Sequence, residues 1–600
     1  MLADVENFTL RNRFLPLFIL LVMAAGVYLF TASDRAILDD GDALYSSVSQ
    51  NMAASGDWVT PYINGVRFID KPPMLYWLTA ASFHVFGVNE FAVRFPAACA
   101  VAAIALLLFF FGRKAGGPFA GFVAGSAFAF CAGTFLFTLM AFPDIFFVFF
   151  LTLAVTAFYA WYRDDRNPVF PALLFYAAAG GAVLSKSLIG LVFPAATVLL
   201  FLIWSRNPGR LRHFHILKGA LLFFLVAAPW HILAAIRNPG FLWYYFVNEQ
   251  FLRFLGKRQP MDYESISLPI FWLLVLAWLF PWSVFLPALR HVWRNSSDRE
   301  NTSRDAVKLC FCWAFVVLVF FSVSSRIEHY SMPIFPPLAM LIGAALSSEN
   351  VMTKLAEKTI KRGFIFLSSL GGAAALLLVT GGLLLASGVL GVAGEAGQSQ
   401  AETSARLHSY KYYFAPLFEM PPDIVSRLKM PFFGTLAIIS LGFIGAWLFA
   451  RRNRLMAAVL ALNLTMAGFC FFTWQSLGIC EGFISSRQFG QKLNELYRPG
   501  DAAVVLGDFE TANSINFYAT VPLYVYKGSA VLLSQGMTYP DAPQMLLEPA
   551  SFTGMWEGNR RTFLLAPEDV LTSLNLSSAW PVMRSSSRVL ICNQKIGSTE

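Results

Sequence analysis

Apolar runs long enough to cross a lipid bilayer make up most of this chain, and they limit its fold more than any other feature. A transmembrane helix needs about 20 mostly apolar residues. Applied to the 600 residues, this length predicts about thirteen spans. Their approximate limits are 14–31, 91–112, 118–136, 143–162, 169–184, 187–205, 216–236, 268–289, 307–323, 330–347, 364–390, 432–450 and 454–474. The sequence therefore predicts a polytopic α-helical membrane protein.

The composition supports this class and excludes two kinds of partner. The chain is 57% hydrophobic and only 14% charged, whereas soluble domains average about 25% charged residues. The net charge of +9 comes from short basic clusters between the apolar runs, which is typical of membrane orientation signals and not of a nucleic-acid surface. The sequence contains no nucleotide P-loop and no GxGxxG fingerprint. We therefore expect neither nucleic acid nor a nucleotide as a partner.

Lys and Arg are concentrated in every second connection between the predicted spans. Examples are Arg113 with Lys114, and Arg163 with Arg166. Basic connections stay in the cytoplasm. This alternation predicts a cytoplasmic N-terminus, and the odd number of spans predicts a C-terminus on the outer side.

The character of the sequence changes at about residue 475. The runs "AAVVLGDF", "PLYVYKG" and "TFLLAPED" are short, β-rich and separated by turn residues. We therefore predict a transmembrane domain over 1–474 and a small external α/β domain over 475–600, with a second external insert at about 391–430. Cys480 and Cys592 lie in polar sequence, so a disulfide between them is one alternative and two separate thiols the other.

The loop after the first span begins with "LDDGDALYSSVSQNMAAS". Leu44, Val48 and Met52 recur every four residues, which predicts a short helix with one apolar stripe. Asp42 stands where an N-cap belongs and Gly56 where a C-terminal glycine belongs. The helix is too short to span, so we expect an interfacial helix at the outer membrane surface.

Capping does not explain why Asp39, Asp40 and Asp42 stand together in this external loop, which covers about 32–90. A carboxylate near a lipid phosphate can accept a proton, and Lys71 can neutralise the phosphate as it leaves. The structural alternative is that Asp42 caps the helix and Lys71 reaches towards lipid headgroups. The sequence leaves both interpretations open.

Charged residues at the outer mouths of other spans fit the same chemistry. Asp144 stands at membrane depth, where an acid is a functional candidate, with a helix N-cap as its structural alternative. Glu249 and Arg253 are four residues apart, so a simple helix ion pair is their alternative. The other predicted members of this cluster are Lys186, Arg326, His329 and Tyr330. Such a mixed cluster suits an anionic lipid headgroup.

Several of these segments resemble a known family. "YSSVSQNMAASGDWVTPYINGVRFIDKPPMLYWL", "LSKSLIG", "NEQFLRF" and "SSRIEHYSMPIFPPLA" are similar to the bacterial ArnT-like branch of the protein mannosyltransferase superfamily, over nearly the whole membrane part to about residue 350. The resemblance implies the GT-C fold. It also implies a glycosyltransferase of the bacterial inner membrane, with its C-terminal domain in the periplasm. Such an enzyme takes a sugar from a polyprenyl phosphate, such as undecaprenyl phosphate, and places it with inversion on lipid A or another envelope acceptor.

The resemblance also implies which carboxylates are catalytic. The family's acidic pair falls on "DDGD"; counted back from Tyr45, its two places are Gly41 and Asp42. This chain departs from the pattern there, so both Asp40 and Asp42 stay open as the principal carboxylate. Asp144 matches the family's second external acid.

The carrier phosphate is implied to bind a second set of residues. Lys71 matches the lysine of the family's acid-Lys-Pro motif, and Asp70 matches the acid before it. Arg253 matches the arginine of the "RF" motif. Arg326 stands near a family lysine, with His329 and Tyr330 beside it.

Other interpretations remain open at this point. No cofactor is expected to be required, although Asp70, Glu249 or His329 are of the residue types that hold a divalent metal. Rival functions are a protein O-mannosyltransferase of the same superfamily, an O-antigen ligase, and a non-enzymatic flippase or transporter of lipid-linked sugars. A transporter predicts symmetric halves or broken helices at the midplane. The sequence shows no such symmetry, and its polar residues gather at one face.

Overall fold

A computed structural model describes residues 14–261, 265–295, 302–347, 354–386, 422–571, 574 and 576–596. Most of the polar insert predicted at about 391–430 lies outside these residues. Over these residues the membrane part is mostly helical, as the apolar runs predict. Its α-helices are α1 (Leu15–Ala32), α2 (Gly41–Ser55), α3 (Met74–Phe86), α4 (Glu90–Ala129), α5 (Ala132–Thr138), α6 (Asp144–Tyr162), α7 (Val169–Lys186), α8 (Ile189–Trp204), α9 (Ile216–Arg237), α10 (Leu268–Trp278), α11 (Leu289–Asn295), α12 (Thr302–Val323), α13 (Phe335–Leu346), α14 (Lys354–Ala386), α15 (Pro422–Arg427), α16 (Lys429–Arg451) and α17 (Leu455–Ile479).

Shorter elements connect these helices. A two-stranded antiparallel hairpin, β1 (Tyr62–Ile63) and β2 (Val66–Arg67), follows α2. A π-helical segment, Trp243–Leu252, follows α9. The 3-10 helices are Pro208–His213, Trp282–Ala288 and Glu328–Ile334.

The predicted multi-pass architecture is confirmed, whereas the count of thirteen spans stays a prediction. Ten helices in the described part of the chain are long and apolar enough to cross a membrane, or up to eleven if a bent pair is one span. The span predicted at 187–205 corresponds to α8, which has only 16 residues. The span predicted at 91–112 lies within α4, whose helical geometry breaks at Gly116 and Gly117. The span predicted at 118–136 begins in the second half of α4 and runs on into α5. Gly117 has a φ of 81°, which glycine adopts at little cost.

The helix pair α6 and α7 brings two charged residues together at one end of the helix bundle. The two helices pack against each other and are joined by a connection of six residues. Such a short connection makes them antiparallel, so the first residue of α6 and the last residue of α7 lie at the same end. Those residues are Asp144 and Lys186.

A small α/β domain follows the last membrane helix, and this prediction is confirmed. Its sheet has the strand order β5-β4-β3-β6-β8-β7, in which the first four strands are parallel and the last two antiparallel to their neighbours. The strands are β3 (Ala502–Leu506), β4 (Leu523–Tyr526), β5 (Leu546–Leu547), β6 (Thr562–Pro567), β7 (Trp580–Ser585) and β8 (Arg588–Cys592). The α-helices are α18 (Glu481–Ile484), α19 (Arg487–Leu496), α20 (Ile515–Ala519), α21 (Pro549–Glu557) and α22 (Glu568–Leu571), and the 3-10 helices are Phe509–Thr511, Val531–Leu533 and Gly536–Thr538.

The alternative of a disulfide in this domain is wrong for the structure described. Cys480 and Cys592 are buried and no disulfide joins them. Cys592 closes strand β8, where it pairs in register with Phe563 of β6. Its side chain belongs to the core of the sheet, and the local polarity of the sequence does not reveal this.

The predicted helix in the first external loop is α2. Its apolar stripe is buried, with Leu44, Val48 and Met52 at most 2% exposed. Gly56 ends the helix in the left-handed conformation and donates its N–H to the carbonyl of Met52. The N-cap is Asp40, so the prediction that Asp42 is the N-cap is wrong: the helix begins at Gly41, two residues earlier than an N-cap at Asp42 implies.

Candidate active site

Asp144 and Lys186 form an ion pair at the outer end of the α6–α7 hairpin. Asp144 begins α6 and Lys186 ends α7, so each charge also complements the helix dipole at its position. His329 places its Nε2 3.9 Å from the other oxygen of Asp144. Its ring stacks on Phe142, with 4.9 Å between the ring centroids. The carboxylate of Asp144 therefore lies between the ammonium group of Lys186 and the imidazole of His329.

A second cluster is built on the π-helical segment Trp243–Leu252. Glu249 accepts hydrogen bonds from Arg253 and Arg258, and it lies 3.4 Å from Nζ of Lys71. The wider turn of a π-helix is found frequently at functional sites. Its three partners come from different places in the chain: Arg253 directly follows the segment, Arg258 lies in the next loop, and Lys71 lies in the first external loop.

Asp70 joins this second cluster through Arg258. The guanidinium of Arg258 donates to Asp70 at 3.1 Å as well as to Glu249, and the hydroxyl of Tyr244 donates to the other oxygen of Asp70 at 3.0 Å. The side chain of Asn248 donates to the carbonyl of Gln259 at 2.7 Å, which folds the loop back onto the segment. This local turn brings Arg258 over Glu249.

Tyrosines connect the two clusters. The hydroxyl of Tyr330 accepts a hydrogen bond from Arg253 at 3.2 Å, and the Nζ of Lys186 lies 4.2 Å from the centroid of the same ring. Tyr45 lies nearby on α2: burial, with the charges of Asp70 and Asp144, raises the pKa of its hydroxyl well above the ordinary value. The two clusters are therefore parts of one site.

Three cations of the site are partly exposed, whereas Arg258 and the carboxylates are buried. The side chains of Lys71, Lys186 and Arg253 are 24%, 15% and 14% exposed. Those of Glu249 and Asp144 are 1% and 2% exposed. A molecule that enters the site therefore meets positive charge first.

The pKa shifts in the second cluster act in both directions. Burial and the charge of Arg253 lower the pKa of Lys71, which works against its positive charge. Burial and the charge of Glu249 raise the pKa of Asp70, so this carboxylate gives up its proton less readily. Burial alone would raise the pKa of Glu249, but the positive charges of Arg253, Lys71 and Arg258 outweigh it and lower that pKa. Three cations thus surround one firmly ionised carboxylate and one that is weakened as an acid. The surplus positive charge suits a phosphate.

The aspartates of "DDGD" are separated by the structure. Asp42 is 1% exposed and both its oxygens are engaged: one accepts from the N–H of Ala141 at 2.8 Å, the other from Leu38 N–H at 3.1 Å and from Arg94 at 3.3 Å. Asp42 therefore holds the segment that precedes Asp144. The backbone of Asp40 is bound by the C-terminal domain.

Arg326 and Arg258 differ from what the sequence suggests. Arg326 directs its guanidinium to the backbone carbonyls of Ile266, Phe321 and Ser324, at 2.8 to 3.2 Å, so these contacts hold a loop. The sequence places Arg258, with Lys257, among the basic residues that follow Glu249, but does not single it out for the site. It stands in "GKRQP" beside another cation, and nothing in that local pattern distinguishes it from the exposed Lys257.

The three residues considered for a metal do not form one ligand set. Asp70 and Glu249 share Arg258, whereas His329 contacts Asp144. Over the described residues, no group of three His, Cys, Asp or Glu side chains is arranged to hold a metal ion. The requirement for a metal stays an open expectation.

Comparison with known proteins points to one family. Residues 70–233 match the family model described as dolichyl-phosphate-mannose-protein mannosyltransferase. The undecaprenyl phosphate-alpha-4-amino-4-deoxy-L-arabinose arabinosyl transferase of Aeromonas salmonicida is 31% identical over 344 residues, which are 55% of this chain and 59% of that protein. The protein of the same name from Pseudomonas aeruginosa is 32% identical over 339 residues, or 54% of this chain and 59% of that protein. The chain thus spans 59% of the length of these relatives.

Solved structures extend the similarity to the whole fold. ArnT from Cupriavidus metallidurans bound to undecaprenyl phosphate has a TM-score of 0.77, with 21% sequence identity, over 97% of this chain and 98% of that one. The apo form of the same protein has a TM-score of 0.76 over 96% and 98%. The predicted ArnT-like resemblance and the GT-C fold are confirmed.

Proposed function

We propose that this ArnT-like membrane protein of the GT-C fold is a glycosyltransferase that moves a sugar from a polyprenyl phosphate to lipid A or another envelope glycolipid. One observation carries the proposal: the accessible cations Lys71, Arg253 and Lys186 lie above buried carboxylates. The names of the relatives, which specify an undecaprenyl phosphate donor, support the same class of reaction.

The phosphate of the donor binds the cluster around Glu249. Lys71 and Arg253 are its accessible cations, and Arg258, only 6% exposed, fixes the positions of Glu249 and Asp70 beneath them. When the bond between the anomeric carbon and the phosphate oxygen breaks, the leaving phosphate gains negative charge. Lys71 and Arg253 stabilise that charge, and a single such donor contributes about 10²–10³ in rate.

The acceptor oxygen attacks the anomeric carbon from the opposite side, which inverts its configuration. Asp144 is the carboxylate we assign to this end, because Tyr330 connects its partner Lys186 to the phosphate-binding residue Arg253. If the acceptor is a hydroxyl, Asp144 takes its proton as the new bond forms. If the acceptor is an anionic phosphate, Asp144 with Lys186 orients it.

Donor and acceptor meet at the outer membrane surface in this proposal. We place the protein in the bacterial inner membrane with a cytoplasmic N-terminus and a periplasmic C-terminal domain, on the basis of the basic connections. The site lies in the first external loop and the outer ends of the spans. Lipid-linked sugars and envelope acceptors are both available on that side.

Mass spectrometry of lipid A and other envelope glycolipids tests the proposal. We would compare wild type, a deletion, and the deletion complemented with wild type, Lys71→Ala or Lys257→Ala at matched expression. Lys257 is an exposed cation beside Arg258 and is the matched control. We expect the deletion to lose one sugar mass, Lys257→Ala to restore it and Lys71→Ala not to restore it. An unchanged set of glycolipids in the deletion would contradict the proposal.

A further inference from the structure

The C-terminal domain contacts the first external loop at the carboxyl ends of its parallel strands. This is the part of an open α/β sheet that commonly binds ligands. Strands β4 and β5 lie on one side of β3, and β6 lies on the other, so the strand order reverses between β3 and β6. Open α/β sheets bind ligands outside the carboxyl ends of their strands at such a point. In this chain the side chain of Asp39, from the first loop, is bound there.

Asp39 is held as a bound anion would be. One of its oxygens accepts from the N–H and the hydroxyl of Ser514, which follows β3, at 3.0 and 2.6 Å. The other accepts from the hydroxyl of Ser486 at 2.8 Å and from Arg588 at 3.4 Å. Arg588 begins β8, in register with Pro567 at the carboxyl end of β6. Four donors of the domain therefore converge on one carboxylate of the loop.

The backbone on both sides of Asp39 is also bound by the domain. The N–H of Asp40 lies 3.0 Å from the carbonyl of Glu510 and 2.8 Å from Oδ1 of Asn513, whose amide donates back to the carbonyl of Asp40 at 3.0 Å. The N–H of Ile37 donates to the hydroxyl of Tyr518 at 2.9 Å. These contacts fix the direction in which the chain enters α2.

The fixed segment leads directly to the reacting end of the site. Asp42 stands three residues after Asp39 and accepts the N–H of Ala141 at 2.8 Å. Asp144 follows Ala141 by three residues. The path from Asp39 to Asp144 therefore consists of three residues of the first loop, one hydrogen bond and the three residues that lead into α6.

A second attachment holds the other end of the loop independently. Asn64 exchanges two hydrogen bonds, both of 2.8 Å, with the backbone of Leu523 in β4. Arg67 pairs with Asp541 at 2.7 Å and lies over the ring of Tyr539, 4.5 Å from its centroid. This second attachment precedes the phosphate-binding residue Lys71 by only four positions.

We propose that the C-terminal domain positions the first external loop for sugar transfer, with Asp39 and Arg588 as positioning residues for Asp144. The proposal rests on the proposed function for its kinetic consequence, but the positioning itself can be measured without substrate. The domain binds a segment of its own chain at the sheet edge where related architectures bind small ligands. If the domain loses its contact with Asp39, the residues around Asp144 should be disturbed more than the phosphate-binding residues around Lys71.

Hydrogen exchange on the full-length protein tests this contact directly. We would compare wild type with Arg588→Ala, Arg588→Lys, and the control Arg584→Ala. Arg584 lies on the neighbouring strand β7 in an exposed pair with Glu568, 3.5 Å apart. We expect amides in 37–44 and 139–144 to exchange about tenfold faster or more in Arg588→Ala, because the variant loses the donor to Asp39 together with the guanidinium bonds to Ser486 and to the carbonyls of Ser485 and Thr511. Arg584→Ala should leave them unchanged, and Arg588→Lys should recover part of the protection.

Kinetics then distinguish positioning from general stability. We expect Arg588→Ala to lower kcat for transfer by about tenfold or more, while the KM for the donor and the affinity for undecaprenyl phosphate stay within twofold of wild type. Ser514→Ala, which removes one hydroxyl from Asp39 and keeps the ion pair, should give a smaller effect in the same direction if Arg588→Ala does not fold.

Two results would overturn the proposal. One is unchanged exchange at 37–44 in both Arg588→Ala and Ser514→Ala. The other is faster exchange with an unchanged kcat, which would reduce the contact to a structural one. If wild type transfers no sugar at all, the proposed function fails, and the exchange measurement still decides whether the domain holds the loop.

Discussion

Asp42 accepts the backbone N–H of Ala141 at 2.8 Å, so the first external loop is tied to the segment that carries Asp144. The two residues are 99 positions apart in the chain. Arg94 donates to the same carboxylate at 3.3 Å and also to the carbonyls of Arg35 and Ala36, at 2.7 and 3.0 Å. The acid that the sequence made a catalytic candidate is therefore surrounded by structural partners.

Asp42→Asn should lower the stability of the protein more than it lowers transfer in the folded fraction. The variant keeps the size of the side chain but removes the charge that Arg94 faces, and its amide nitrogen cannot accept the N–H groups that the carboxylate accepts. We expect a loss of about 1–3 kcal/mol in the free energy of unfolding, read as a lower Tm in detergent. A variant with wild-type Tm and no transfer would instead assign Asp42 to the chemistry.

Asp144→Asn should show the opposite balance. Lys186, its partner, is 15% exposed and also lies over the ring of Tyr330, and the amide oxygen of an asparagine at position 144 can still accept from it. We expect transfer to fall by about 10²–10⁴-fold with little change in Tm. Asp40→Asn is the informative comparison: a loss of transfer in Asp40→Asn with full activity in Asp144→Asn would move the principal carboxylate to the first loop.

Lys71→Ala and Arg253→Ala should weaken the phosphate end. Each substitution removes one partly exposed cation from the cluster around Glu249. The carboxylate of Glu249 stays in place, and its lowered pKa keeps it ionised. We expect each variant to lower transfer by about 10²–10³-fold and to weaken binding of undecaprenyl phosphate. Lys257→Ala should do neither, because Lys257 is exposed outside the cluster. Equal effects of all three variants would indicate only a general attraction of the surface for anions.

Arg326→Ala should affect the loop and not the ligand. Its guanidinium is bound to three backbone carbonyls that connect the loop around Ile266 with the end of α12. We expect a lower Tm, with the affinity for undecaprenyl phosphate within twofold of wild type in the folded fraction. A tenfold loss of that affinity at unchanged Tm would return Arg326 to the phosphate site.

Fusions to the C-terminus should report the orientation. The alternation of basic connections predicts that alkaline phosphatase, which is active only outside the cytoplasm, works when fused after residue 600. Green fluorescent protein exported unfolded to the same place should stay dark, and a fusion truncated after Arg166 should give the reverse pattern. A fluorescent C-terminal fusion would contradict the proposed sidedness.

Local pattern was sufficient for the membrane helices, which apolar length predicted, but not for the N-cap of α2, which is Asp40 and not Asp42. Charge in the first loop pointed to Lys71, and charge at the mouths of the spans pointed to Asp144 and Lys186; the structure brings all three into one site. The limits of prediction are contacts between distant segments. Asp39 and Arg588 are 549 positions apart in the chain, and no sequence feature near either residue predicts the contact between them. For the same reason Arg326 and Arg258 could not be told apart in role, because their backbone and side-chain partners lie on other elements.

The most direct test of the account is transfer by the purified protein in lipid nanodiscs. The donor would be undecaprenyl phosphate carrying 4-amino-4-deoxy-L-arabinose, the sugar in the names of the relatives, and the acceptor lipid A. We predict one undecaprenyl phosphate released for each sugar that appears on lipid A, with the reaction lost in Lys71→Ala and kept in Lys257→Ala. Donor that stays intact across a panel of lipid-linked sugars, or that crosses the bilayer with its sugar attached, would contradict the account.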